Sequence, residues 1–129
     1  MIHHVIQLKL TESITDPDRT RLLAGLQRLA DVAGVESASV GWVVRGGDWD
    51  VAALVALADE DAYRAYLFDP AHLEVDRIVR PWVTAATVLD LSDEVDDGLG
   101  DRLAALAETR ERELAPQLEA ITTPQESGS

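Results

Sequence analysis

A chain of 129 residues, 47% hydrophobic and 27% charged, is sized for one compact domain and carries enough apolar residues to bury a core. Its formal net charge of −13, from 24 acidic against 11 basic residues, repels phosphate backbones and anionic headgroups and argues against nucleic acid or a membrane surface as partner. Cysteine is absent, which excludes disulfides, thiolate metal sites and a cysteine nucleophile.

Residues 2 to 10 alternate His4, Ile6, Leu8 and Leu10 on one face with His3, Val5, Gln7 and Lys9 on the other, the two-residue period of a strand. Asp16-Pro17 reads as an N-cap followed by proline at the first helical position. Leu22, Leu26 and Leu29 then recur at helical spacing, predicting a helix to about Ala30. Gly34 marks its exit. Residues 35–45 and 49–58 are β-prone and are separated by Gly46-Gly47-Asp48, a turn composition, which predicts a hairpin. Its second strand is apolar on both faces, with Val51, Ala53, Val55 and Leu57 on one and Ala52, Leu54, Ala56 and Ala58 on the other. Such a strand needs two covering layers, helices on one side and, in a chain this small, a second subunit on the other.

Asp59-Glu60-Asp61 opens a second helix with charge that suits its dipole, and Ala62, Tyr63, Tyr66 and Leu67 form its apolar side. Pro70 ends it. A third helix follows from about Ala71 to Val79, stopped before Pro81, and Val83 to Leu91 closes the domain as a fourth strand. From Ser92 the composition turns acidic, with 10 acidic and 3 basic residues to the end of the chain. Leu99, Leu103, Leu106, Leu114, Leu118 and Ile121 form one helical stripe that Pro116 should interrupt, and Thr122 to Ser129 should fray. The expected organisation is therefore a domain at 1–91 followed by an acidic amphipathic helix and a disordered tail at 92–129. With no leader-like start and no bilayer-length apolar run, a cytoplasmic protein is expected, and the single lysine, Lys9, amid many Ala, Asp and Arg points to a bacterial source.

The order βαββ, helix pair, β is that of a ferredoxin-like α+β domain. The opening His3-His4-Val5-Ile6-Gln7-Leu8-Lys9-Leu10, the stretch Tyr66-Leu67-Phe68-Asp69-Pro70-Ala71-His72, and Val88-Leu89-Asp90 together resemble the stress-responsive A/B barrel (Dabb) family. The resemblance spans residues 1–91 and implies a ferredoxin-like βαββαβ fold that pairs as a homodimeric α+β barrel, here with an extra C-terminal helix. It also implies a site. A plant polyketide cyclase of the family works without metal or organic cofactor, and its pocket residues match His4, Tyr66 and His72. Two further pocket histidines of that enzyme are replaced here by Val51 and Asp69.

Aldol or Claisen ring closure needs a base between two carbonyls and a donor for the oxyanion. His72 is the expected general base, with Tyr66 and His4 as donors. Trp82 and Phe68 are expected to line an apolar pocket for an aromatic or polyketide ligand, with Val51 and Asp69 at substrate-facing positions. No metal is expected, because His3 and His4 point to opposite faces of one strand. Two other readings stand beside the cyclase or lyase: a non-catalytic dimeric barrel that binds a hydrophobic ligand or serves a stress response, and a cofactor-free or haem-binding barrel monooxygenase. In the non-catalytic case His72 would bond a backbone carbonyl at the helix junction, and a neighbour would satisfy His4.

Overall fold

The structure is a computed structural model and describes residues 1–121. Its four strands, β1 (Ile2–Leu10), β2 (Val35–Trp42), β3 (Val51–Leu57) and β4 (Val83–Ser92), form one antiparallel sheet in the order β2-β3-β1-β4. Between them run α1 (Asp16–Gln27), continued by a 3-10 turn at Arg28–Asp31, then α2 (Glu60–Phe68) and α3 (Pro70–Val79), and the chain continues into α4 (Leu99–Glu113) and α5 (Ala115–Glu119). This is a ferredoxin-like α+β fold with an added C-terminal helical segment. The expected fraying of Thr122 to Ser129 falls outside the described residues. Among the described residues no helix is long and apolar enough to cross a membrane.

Local chemistry accounts for most boundaries. The N-cap of α1 is Thr15 and not Asp16: the Thr15 hydroxyl accepts from the Asp18 amide at 3.3 Å and donates to the Asp18 carboxylate at 2.7 Å, a reciprocal cap that the aspartate one residue later does not make. Asp59 caps α2 by accepting from the Ala62 amide at 2.8 Å. Asp69 ends α2 and caps α3, with Pro70 at the start of the new helix. The hairpin strands are shorter than predicted, ending at Trp42 and restarting at Val51. Gly46 and Gly47 take φ of +139° and +81°, Val44 is exposed, and the Asp50 carboxylate accepts from the Leu10 amide at 2.7 Å.

The core lies between the sheet and α1–α3. Val51, Val55 and Leu57 of β3 are fully buried against it, joined by Leu8 and Leu10 of β1, Leu22 and Leu26 of α1, and Val75 and Val79 of α3. Among the described residues no layer covers the opposite sheet face. There Val5 is flanked across the ladder by Leu54 and Leu89, and Leu91 lies beside His3, with Leu54, Leu89 and Leu91 at 41%, 57% and 50% exposure. The predicted stripe of the C-terminal segment docks through Leu103 and Leu106, which join the buried core. The helix breaks at Leu114, ahead of Pro116.

Candidate active site

Four elements bring their polar side chains to one place under the helices. His4 sits on the helix-facing side of β1, and the β1–β4 register sets it directly opposite Asp90. His4 Nδ1 lies 2.6 Å from Asp90 Oδ1, so its N–H donates to the carboxylate, and the Tyr63 hydroxyl of α2 donates to Asp90 Oδ2 at 2.9 Å with its oxygen 3.2 Å from His4 Nδ1. One turn further along α2, the Tyr66 ring packs edge-on to His4 at 5.6 Å between centroids and lies 4.4 Å from the His72 ring. His4, Tyr66 and His72, far apart in sequence, therefore form one contiguous cluster.

Two features make this cluster chemically capable. With Asp90 on Nδ1, neutral His4 is held in the tautomer that leaves Nε2 with a free lone pair, the orientation that a carboxylate imposes on an imidazole base. His72 is fixed the same way round by a different partner: its Nδ1 donates to the Tyr66 carbonyl at 3.1 Å. Neither Nε2 has a hydrogen bond among the described residues. The Tyr66 ring packs against both imidazoles, and its hydroxyl is fully buried with no partner among the described residues, whereas buried hydroxyls are nearly always bonded. Burial pushes the Tyr66 and Tyr63 phenols up, the latter aided by Asp90, so both remain protonated donors.

Burial, and after it the Arg110 guanidinium, pushes His72 down to about 4. Its protonation therefore opposes folding. The unfolded chain takes up this proton near pH 6.5 and the folded chain only near 4, so stability falls as pH drops through that window, by about 3 kcal/mol in all. Urea midpoints measured at pH 7 and pH 4.5 should show this loss, and His72→Gln should flatten it; an equal slope in the variant would assign the acid sensitivity elsewhere.

The remaining predicted residues lie apart from this cluster. Val51 is wholly buried but pairs with Leu8, four residues along β1 from His4. Trp82 precedes β4 and its carbonyl accepts from Thr11, at the other end of the strand from Asp90. Phe68, the last residue of α2, packs half-buried against the core. Asp69 accepts from the Ala33 and Ala71 amides at 2.7 and 3.0 Å, which hold its carboxyl below the usual range, so it clamps the helix junction.

Asp90 and Tyr63 were not among the predicted site residues. Asp90 is a lone carboxylate in the apolar run Val88-Leu89-Asp90-Leu91, a usable signal, and Tyr63 lies three residues before Tyr66 and so on the same helical face. Asp90 also lines a cavity of about 150 Å³ formed with Ile2, Glu94, Asp96, Leu99 and Leu103, which brings solvent to the edge of the cluster. A larger, open concavity of about 620 Å³ beside Arg77, Pro81 and Pro116 contains none of the cluster residues.

The fold and the cluster define a ferredoxin-like α+β domain with a largely buried His–Asp–Tyr cluster. Residues 2–93 match the Stress responsive A/B Barrel Domain, and the chain belongs to that family. No curated protein matches the sequence. Among solved structures it is similar to a Dabb family protein from Mesorhizobium loti (21% identity, 73% of this chain and 97% of that one, TM-score 0.65). A dimeric ferredoxin-like protein of unknown function from Thermobifida fusca is also similar (20%, 70% and 89%, 0.64). A third is the hydroxynitrile lyase from Passiflora edulis (12%, 74% and 96%, 0.63). At these identities the likeness establishes the shared fold.

Proposed function

We propose that this protein is a small-molecule enzyme that moves a proton on a carbonyl compound, in the manner of a lyase or cyclase, with its own side chains as acid and base. The observation that carries this reading is the buried Tyr66 hydroxyl, unpartnered among the described residues, on a ring that packs against two imidazoles whose Nε2 atoms make no hydrogen bond there. A substrate oxygen supplies the missing acceptor, and Tyr66 donates to the oxyanion as charge develops. His4, with Asp90 to stabilise its imidazolium, takes the proton. His72 is too weak a base for this step and remains a neutral acceptor beside the ring of Tyr66. That reverses the roles expected from the sequence, where His72 was the base.

The fold houses a hydroxynitrile lyase, a reaction class in keeping with this chemistry. The uncovered face around Val5, Leu54 and Leu89 supports a homodimer like that of the Thermobifida fusca protein, and light scattering showing a monomer at micromolar concentration would remove that part.

Acetylacetone is a suitable probe, because exchange of its central hydrogen for deuterium reports proton abstraction directly. Wild type should accelerate exchange, and His4→Ala and Tyr66→Phe should each lose about 100-fold or more. Tyr66→Phe should meanwhile be as stable as wild type or up to ~1 kcal/mol more stable, since it deletes an unsatisfied buried hydroxyl. Equal exchange rates in all three proteins would sink the catalytic assignment.

A further inference from the structure

Arg110 lies beyond the family domain, on α4, at the point where the leucine stripe 99, 103, 106 would place another apolar residue, and only 3% of it is exposed. A buried guanidinium needs partners, and here it has two. Its Nε donates to the Leu67 carbonyl at 2.6 Å and its Nη2 to the Asp76 carboxylate, which Arg80 Nε also reaches at 3.1 Å. Leu67 belongs to the last turn of α2, where carbonyls lose their intrahelical partners. Two neighbouring carbonyls of that turn are thus satisfied from outside the helix, Tyr66 by His72 and Leu67 by Arg110.

We propose that Arg110 is a positioning residue of the candidate site: by tying the end of α2 to Asp76 of α3 it fixes the junction that carries Tyr66 and His72, and it sets a permanent cation behind them. The proposal takes the identity of the site from the reading above, but the arrangement it describes is measurable without a substrate. The charged and titratable groups that bear on His72 are Arg110 from α4, Asp76 on its own helix with Arg80 beyond, His4 from β1, Tyr66 from α2 and Asp69 at the junction. Of these Arg110 acts most strongly against a second positive charge, and Asp76 opposes it.

The test uses the full chain with isotope-labelled histidine, followed by NMR. Wild type should show His72 in the Nδ1–H tautomer with a titration midpoint near 4. Arg110→Gln should raise that midpoint by about one unit or more and mix the tautomers. Arg110→Lys keeps the cation but reaches a single acceptor, so the midpoint should stay low while the tautomers mix. A folded Arg110→Gln protein with an unchanged midpoint and tautomer would overturn the proposal, whatever its stability.

If Arg110→Gln does not fold, amide exchange in wild type decides. The α4 amides near Arg110 should be protected to within about tenfold of those of α2, and exchange more than about 100-fold faster would overturn the proposal. Failure of the catalytic reading is separate: it leaves the His72 response intact and abolishes only carbonyl exchange.

Discussion

Asp76→Ala should lower stability by about 3–5 kcal/mol, because it strands a buried guanidinium and a half-buried one without their shared carboxylate. For a domain of this size that corresponds to a fall in Tm of about 11–18 °C by calorimetry. The pair Asp76→Leu with Arg110→Met should recover most of the loss, since removing both charges together leaves a packed apolar contact instead of an orphaned ion. What the double variant does not restore is the bond to the Leu67 carbonyl, worth about 1–2 kcal/mol more, and the bond from Arg80 to Asp76, which leaves Arg80 only its contact with Glu111. A single Asp76→Ala protein within 1 kcal/mol of wild type would mean that water or Glu111, already 2.8 Å from Arg80, takes over the role of the carboxylate.

Gly34→Ala should be costly for a steric reason. Gly34 has φ of +81°, and a Cβ built there would stand 2.3 Å from the Ala62 carbonyl oxygen, backbone that cannot rotate away. The left-handed conformation alone costs about 1–2 kcal/mol in any residue with a Cβ, and the clash adds to it by pushing α2 outward, for a total of about 3 kcal/mol or more. Because Ala62 precedes Tyr63, the displacement passes straight into the bonds to Asp90 and His4. Gly47→Ala is the control: it has the same φ, but its nearest neighbour is the Trp49 ring at 3.4 Å, so it should lose only about 1–2 kcal/mol. Equal losses in the two variants, by urea denaturation, would show that the contact with Ala62 gives way.

Much of the fold was legible because it is written in short-range periods. The alternation of β1 and the two apolar faces of β3 are local patterns, and both describe the observed sheet. The Tyr66 to His72 stretch is local too, and its helix–cap–helix geometry brings the two rings together across Asp69 and Pro70. What sequence reading lacked was register. That Asp90 stands opposite His4 depends on the pairing of strands more than eighty residues apart, and the same pairing sends Trp82 to the far end of β4. Arg110 was hidden for another reason: a charged residue in a leucine stripe reads as a gap in the pattern until its buried partners are known.

The docking of α4 bears on how the protein is handled as well as on how it works. The family match stops at residue 93, yet the Leu67 carbonyl and the Asp76 carboxylate inside it are completed by a side chain outside it. Inheritance and folding thus draw their boundaries at different places along this chain. A fragment trimmed to residues 2–93 would uncover the footprint of Leu103 and Leu106 on α2 and lose the guanidinium that ties α2 to α3, which makes it a poor surrogate for the longer chain in screens for ligands.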